Sequence, residues 1–220
     1  MNDTARPAAG ALASGPDCAA AGEDGPPPNF VRLGDIAPRI RQDMRYASAD
    51  NFLGRPVPGY CAGRCWLRRE VGEALAAVQQ EAEAAGLSVV VYDCYRPQRA
   101  TRAFIEWAAD PADQAMKAAY YPNLDKAALF DLGYIARESA HSTGVAVDLA
   151  LVGLDYGTPF DLFDEASGTH AEGIGAEAKQ NRAALIALMR RHGFVNFAKE
   201  WWHFTLDGLD GVRPHDFEVR

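Results

Sequence analysis

The period of the apolar residues changes near position 86 of the chain. Between Val71 and Ala85 they recur every three or four residues, as on a helix that buries one face. Gly86 follows directly, and glycine commonly ends a helix. The next segment, 87–92, is short, apolar and rich in β-branched residues, which is typical of a buried strand. The pattern therefore predicts a helix joined by a tight turn to a strand.

Helical and strand-like segments continue to alternate, with glycine and proline at their boundaries. The pattern predicts helices at 97–110 and 177–192, short broken helices within 112–136, and strands at 145–151, 194–197 and 201–206. Helices come early and strands late, without a regular strand–helix–strand rhythm. The sequence therefore predicts one α+β domain with a mainly antiparallel central sheet flanked by helices.

The first 29 residues differ in composition from the remainder, because Ala, Gly and Pro dominate them. They lack the cationic start and long apolar run of a secretory signal. We therefore expect a disordered tail at 1–29 followed by a folded domain at 30–220. No segment approaches the roughly 20 apolar residues that a membrane-spanning helix requires. The sequence thus predicts a cytoplasmic protein without a membrane span.

The charge of the chain argues against one class of partners. Its 22 Lys and Arg residues stand against 30 Asp and Glu residues, which gives a formal net charge of -8 at pH 7. No basic run is present that could neutralise a phosphate backbone or an anionic lipid surface. We therefore expect neither nucleic acid nor a membrane surface as a partner.

Four cysteines are present, namely Cys18, Cys61, Cys65 and Cys94. They are too sparse for a disulfide-stapled scaffold, and no second pair accompanies Cys61 and Cys65 at zinc-finger spacing. The sequence therefore predicts buried, unpaired thiols. A disulfide between Cys65 and Cys94 stays open as the alternative, because the sequence does not show whether the two sulfur atoms meet.

The segment 139–148 carries the most informative chemistry. Side chains alternate between the two faces of a strand, so Val145 and Val147 are expected in the core and Asp148 on the opposite, open face. His141 comes just before this strand. Imidazole and carboxylate groups are the ligands that a catalytic zinc ion uses. His141 and Asp148 are therefore predicted to bind one metal ion on the sheet.

A second group of polar residues lies in the segment Glu200-Trp201-Trp202-His203. His203 is the candidate third ligand, which leaves one coordination position of a zinc ion for water. Glu200 is the candidate base that takes a proton from this water. Residues three apart on a regular strand point to opposite faces, so a bend near Trp201 is required to bring both side chains to the metal.

Arg96 is the candidate for stabilising charge during peptide hydrolysis. It follows the predicted strand 87–92 closely and stands directly before the helix that Pro97 opens. Negative charge develops on the substrate carbonyl oxygen, and a guanidinium group stabilises it. The alternative is a surface ion pair with Asp93, which would have no catalytic role.

These motifs resemble those of the D-Ala-D-Ala dipeptidases of the VanX type, which are relatives of zinc D-alanyl-D-alanine carboxypeptidases. The matching signatures are Ser139-x-His141-x6-Asp148, Glu200-x-Trp202-His203 and Tyr95-Arg96-Pro97. The resemblance covers about 34–217 and leaves out the N-terminal tail. It implies an enzyme that hydrolyses D-Ala-D-Ala with one zinc ion per chain.

The resemblance also implies a role for each site residue. The zinc ligands would be His141, Asp148 and His203, with Glu200 as general base and acid and Arg96 as the group that stabilises the oxyanion. Asp161 matches a position that receives the free amino group of the substrate, with Tyr46 nearby. Ser139 and Tyr60 match positions close to the substrate carboxylate.

Two other functions stay open from the sequence. One is a zinc carboxypeptidase or endopeptidase that acts on longer cell-wall peptides, and Asp161 argues against it because such a substrate offers no ammonium group. The other is a non-catalytic module that binds cell-wall peptides or zinc. Glu200 and Arg96 argue against this module, because binding alone requires neither. The sequence leaves open whether the physiological role is antibiotic resistance or recycling of D-alanine.

Overall fold

The computed structural model of the chain describes Cys18 and residues 25–220. The tail predicted at 1–29 lies mostly outside the described residues, so its disorder stays a prediction. The helices are α1 (Leu33–Ile36), α2 (Arg69–Ala84), α3 (Gln98–Ala109), α4 (Lys117–Tyr120) and α5 (Ala176–Arg191). The strands are β1 (Phe30–Arg32), β2 (Arg41–Gln42), β3 (Trp66–Arg68), β4 (Val89–Asp93), β5 (Ala146–Leu151), β6 (Phe194–Asn196) and β7 (His203–Leu206). Short 3-10 helices lie at Arg45–Ala47, Lys126–Ala128, Ala140–Thr143 and Glu165–Ser167.

A five-stranded sheet in the order β2-β4-β5-β7-β6 forms the centre of the fold. All neighbouring strands in it are antiparallel except β2 and β4, which are parallel. A separate antiparallel pair joins β1 to β3. The predicted α+β fold with a mainly antiparallel sheet is therefore confirmed, with one parallel pair at its edge.

The helix predicted before Gly86 is present as α2. Its apolar stripe, Val71, Leu75, Val78 and Ala82, is buried and packs towards the sheet. Gly86 has a φ of +75°, the left-handed conformation that ends a helix, and its backbone N–H donates to the carbonyl of Glu83. The chain then enters β4, as the change of period predicts.

Strand β5 is buried on both of its faces. All six residues of the strand are buried, and Asp148 is only 2 % exposed. Val145 and Val147 lie in the core as predicted, whereas Asp148 faces an enclosed cavity rather than the open surface that the sequence suggests. Strands β4 and β7 flank β5, and its polar side forms the floor of a cavity that the neighbouring loops enclose.

All four cysteines are paired, as Cys18–Cys61 and Cys65–Cys94. The prediction of unpaired thiols is therefore wrong, and the Cys65–Cys94 bond that the sequence left open is formed. The Cα atoms are 5.6 and 5.3 Å apart, which suits a disulfide. Such proximity depends on how distant segments pack, and the spacing of the cysteines along the chain does not encode it. No helix in the described part of the chain is long and apolar enough to cross a membrane.

Candidate active site and metal centre

The three predicted metal ligands converge beside β5. His141 Nε2 lies 3.1 Å from His203 Nδ1, and Asp148 Oδ1 lies 3.3 Å from the former atom and 3.0 Å from the latter. Ligands bound to zinc at about 2.0–2.1 Å in a tetrahedron are about 3.3 Å apart. The three donor atoms therefore have the spacing of zinc ligands, and two imidazoles with one carboxylate suit a catalytic zinc site.

Strand register places two of these ligands side by side. Asp148 on β5 pairs with His203 on β7 and, on its other side, with Asp93 on β4. Burial alone would raise the pKa of Asp148. The nearby imidazoles of His141 and His203 have the larger effect and hold this pKa well below its usual range. An ionised carboxylate is the form that binds a metal ion.

His141 is oriented by the backbone around it. It lies in the 3-10 helix Ala140–Thr143, where the Ser139 hydroxyl accepts a hydrogen bond from the His141 backbone N–H at 3.3 Å. Its ring Nδ1 is 2.7 Å from the carbonyl oxygen of Cys94, so Nδ1 carries the proton and donates it. With Nδ1 turned to this carbonyl, Nε2 faces the other two predicted ligands and is the ring nitrogen placed to bind a metal ion.

Glu200 reaches the site through a turn just before β7. The His203 backbone N–H donates to the Glu200 carbonyl at 3.3 Å, and this tight geometry supplies the bend that the sequence requires near Trp201. Glu200 Oε2 is 3.8 Å from His203 Nδ1, so the carboxylate lies beside the ligand cluster. Burial, assisted by the charge of Asp148 and opposed by His203, raises the pKa of Glu200 to about 7.

Arg96 pairs with Asp93, but inside the protein rather than at its surface. Its Nε and Nη2 atoms donate to Asp93 Oδ2 at 3.0 and 2.8 Å, and the side chains of Arg96 and Asp93 are 13 % and 0 % exposed. The Tyr60 hydroxyl donates to the other Asp93 oxygen at 2.6 Å. Arg96 Nη2 also approaches Asp148 Oδ2 to 4.0 Å. The guanidinium group is therefore fixed in its plane next to the ligand cluster.

Asp161 and Tyr46 form a second polar pair in the same cavity. The Tyr46 hydroxyl donates to Asp161 Oδ2 at 2.8 Å, and Asp161 is 5 % exposed. With a φ of +63°, Asp161 is the only residue other than glycine with a left-handed backbone among the described residues. Burial and the charge of Asp148 raise the pKa of Asp161 well above its usual range. A cation bound beside Asp161 would favour the ionised carboxylate and so offset the effect of burial on it.

These groups line one cavity of about 200 Å³. All of the predicted site residues border it except Tyr60, which lies behind Arg96 and Asp93. The sequence did not predict the aromatic and aliphatic wall of the cavity, which includes Phe52, Phe104, Tyr134, Ile135 and Phe163. It also did not predict that Asp93 would hold both Arg96 and Tyr60. A strand-end Asp three residues before an Arg is a signal for such a pair, but it does not indicate burial.

Comparison with known proteins identifies close relatives. A model of the D-Ala-D-Ala dipeptidase family matches residues 28–217. A D-alanyl-D-alanine dipeptidase of Enterococcus faecium is 39 % identical over 183 residues, which cover 80 % of this chain and 91 % of that protein. Another, of Escherichia coli, is 35 % identical over 182 residues and covers 80 % of this chain and 84 % of that protein. Among solved structures, the vancomycin resistance D,D-pentapeptidase VanY in complex with Zn(II) aligns with a TM-score of 0.42 and 18 % identity, over 68 % of this chain and 77 % of that one.

Proposed function

Because the chain belongs to the D-Ala-D-Ala dipeptidase family, we propose that it hydrolyses free D-Ala-D-Ala to two molecules of D-alanine. One zinc ion per chain, held by His141, Asp148 and His203, would polarise the substrate carbonyl and activate a water molecule. The observation that carries this proposal is the buried Asp161 carboxylate, which lines the same small cavity as the three ligands. A dipeptide brings a free ammonium group to such a carboxylate.

Glu200 is suited to move the proton in this reaction. Its carboxylate lies 3.8 Å from His203 and outside the cluster of ligand atoms, so it is available to a water molecule in the cavity. Burial raises the pKa of Glu200 to about 7, so this carboxyl group takes up a proton more readily than an exposed glutamate does. Glu200 therefore accepts a proton from the attacking water and returns it to the leaving amine.

Arg96 is suited to stabilise the negative charge on the carbonyl oxygen. Asp93 holds the guanidinium group before substrate arrives, which avoids a reorganisation cost during the reaction. Tyr60 supports this arrangement through its hydrogen bond to Asp93. Of the two residues predicted near the substrate carboxylate, Ser139 borders the cavity, while the effect of Tyr60 on the substrate would pass through Asp93.

Asp161 and Tyr46 are suited to recognise the amino end of the substrate. Their hydrogen bond satisfies one oxygen of a carboxylate that has little solvent around it. An ammonium group would add the positive charge that burial and Asp148 make favourable at this position. An acylated amine would displace solvent without supplying that charge, so a longer peptide is expected to be a poor substrate.

The alternatives make different demands on the cavity. A D,D-carboxypeptidase or endopeptidase acting on longer peptidoglycan peptides would need room for an acyl chain beside Asp161. A non-catalytic module that binds cell-wall peptides would not need a Glu200 carboxyl group with a raised pKa next to the ligands. Both alternatives predict substrate behaviour that differs from that of a dipeptidase.

The test is to assay zinc-loaded protein with D-Ala-D-Ala, N-acetyl-D-Ala-D-Ala and an acylated pentapeptide that ends in D-Ala-D-Ala. Hydrolysis of the free dipeptide alone supports the proposal. Hydrolysis of the pentapeptide with an equal or higher kcat/KM would favour the carboxypeptidase instead. Binding without hydrolysis of any substrate would favour the module. Glu200→Gln, purified in parallel, controls for contaminating peptidases.

The cytoplasmic location stays a prediction, and the two disulfides weigh against it. Reductants keep most thiols of cytosolic proteins reduced, whereas disulfides persist in oxidising compartments. The test is to block thiols with an alkylating reagent at cell lysis and then to map the state of all four cysteines. Alkylated cysteines would support the cytoplasm, and intact disulfides would support an oxidising compartment.

A further inference from the structure

The end of β4 carries several parts of the site at once. The pairing of β4 with β5 shifts register between Val91 and Asp93, and the chain leaves the sheet after Asp93. The Cys94 carbonyl then accepts the hydrogen bond from His141 Nδ1 at 2.7 Å. Two residues later, the Arg96 backbone N–H donates to the His141 carbonyl at 3.2 Å. The segment from Asp93 to Arg96 therefore contacts both the ring and the backbone of one ligand.

The Cys65–Cys94 disulfide holds this segment from the other side. Both cysteines are fully buried, at 0 % exposure. Cys65 is itself anchored, because its N–H donates to the Gln42 side chain at 2.8 Å and its carbonyl accepts from the Leu33 N–H at 2.9 Å. Next to it, the Trp66 carbonyl accepts from the Tyr95 N–H at 2.8 Å. The Cys65–Cys94 disulfide therefore links the end of β4 to the start of β3.

We infer that the Cys65–Cys94 disulfide is a positioning element of the metal centre. It fixes the Cys94 carbonyl that sets the tautomer and orientation of His141, and it fixes the backbone that leads to Arg96. The inference rests on the proposed zinc function. Groups that orient a metal ligand typically change metal affinity about 10–100-fold when they are lost. A disulfide with a purely structural role would change the stability of the fold and leave the metal affinity unchanged.

The second disulfide provides a matched control. Cys18–Cys61 has a sequence separation of 43, against 29 for Cys65–Cys94, so the loop-closure effects of the two bonds on unfolding are similar. The Cys61 backbone N–H donates to the Val219 carbonyl at 2.9 Å, near the C-terminus of the chain. Loss of the Cys18–Cys61 disulfide is therefore expected to lower the stability of the fold without moving the Cys94 carbonyl.

The experiment compares the zinc dissociation constants of wild-type protein, Cys65→Ala/Cys94→Ala and Cys18→Ala/Cys61→Ala by competition with a chromophoric chelator. Alanine keeps the backbone carbonyl at position 94, so only its position can change. We expect zinc binding about 10–100-fold weaker in the first variant and unchanged in the second. The visible spectrum of bound cobalt(II), which reports ligand geometry, should change in the first variant alone.

Equal zinc affinity and equal cobalt spectra in all three proteins would overturn the inference. Equal weakening in both variants would also overturn it, because the effect would then follow stability. If Cys65→Ala/Cys94→Ala does not fold, Cys65→Val/Cys94→Ala, which refills part of the lost volume, is measured in its place. Wild-type protein that binds no zinc would contradict the proposed function itself, and this result is distinct from the other two.

Discussion

Asp148 and His203 face each other in register on β5 and β7, with Asp148 Oδ1 3.0 Å from His203 Nδ1. Neighbouring strands hold both side chains, so the sheet fixes the positions of two of the three proposed ligands. His141 joins them from a 3-10 helix, and the Cys94 carbonyl orients its ring. With two proposed ligands on strands and one on a short helix, the three side chains have the rigid support that a catalytic metal centre would require.

Loss of any ligand should remove the metal. His141→Ala, Asp148→Ala and His203→Ala each leave two protein ligands, too few for a tightly held zinc ion with an open position. We expect wild-type protein to contain about one zinc ion per chain and these variants to lose zinc and activity together. Metal analysis after dialysis measures this, with the exposed His170→Ala as control. Full zinc content in the His203 variant would remove that residue from the site.

Glu200→Gln should separate metal binding from catalysis. Glutamine has nearly the same shape as glutamate but cannot take a proton from water. We expect zinc content to be retained while kcat falls about 100-fold or more, as for the loss of a general base. Metal analysis and steady-state kinetics on the same sample measure both quantities. Reduced zinc content with normal turnover per bound zinc would instead make Glu200 a ligand.

Arg96→Ala should lower kcat far more than it raises KM, because the charge that Arg96 meets develops in the transition state. It also leaves Asp93 buried without its ion-pair partner, so a thermal unfolding scan is needed beside the kinetics. Arg96→Lys keeps the charge but loses the two-point contact with Asp93, and we expect it to restore little activity. A change in KM alone would indicate an anchor for the substrate carboxylate.

The sequence predicts which polar residues lie together better than it predicts what surrounds them. His141 and Asp148 lie close together along the chain, and the bend needed near Trp201 was evident from the positions of Glu200 and His203. The burial of both faces of β5 is not predictable from the sequence, because it depends on the packing of helices and loops that are distant along the chain. The aromatic wall of the cavity was missed for the same reason, since Phe52 and Phe163 meet through tertiary packing, with ring centroids 5.0 Å apart.

Gly144 ends the 3-10 helix that carries His141, and its replacement should destabilise the protein. Its φ is +77°, and a Cβ atom there would overlap the ring of Phe30. Gly86 has a similar φ of +75° with nothing within 4 Å of such an atom. Gly86→Ala should therefore cost about 1–2 kcal/mol for the left-handed backbone, and Gly144→Ala clearly more. Chemical denaturation measures both, and equal losses would show that the contact with Phe30 relaxes without cost.

The substrate preference tests the role of Asp161 most directly. Asp161 is buried and accepts a hydrogen bond from the Tyr46 hydroxyl, so little solvent reaches its carboxylate. The free ammonium group of a dipeptide would form a charge-assisted hydrogen bond with this carboxylate. Acetylation of the amine removes the cation and leaves the carboxylate buried without it. We expect wild-type protein to hydrolyse D-Ala-D-Ala at least about 100-fold faster, in kcat/KM, than N-acetyl-D-Ala-D-Ala, which corresponds to about 3 kcal/mol.

Asp161→Asn is the variant that isolates this charge. Asparagine tolerates the left-handed backbone that Asp161 adopts, with its φ of +63°, whereas alanine would add strain. The variant should keep its zinc and its fold but lose most of the preference for the free amine, chiefly because hydrolysis of the free dipeptide slows. Kinetics with both substrates and metal analysis on one preparation measure this. If wild-type protein hydrolyses the acetylated dipeptide as fast as the free one, an ammonium contact at Asp161 does not determine the substrate. This result would favour the D,D-carboxypeptidase over the dipeptidase.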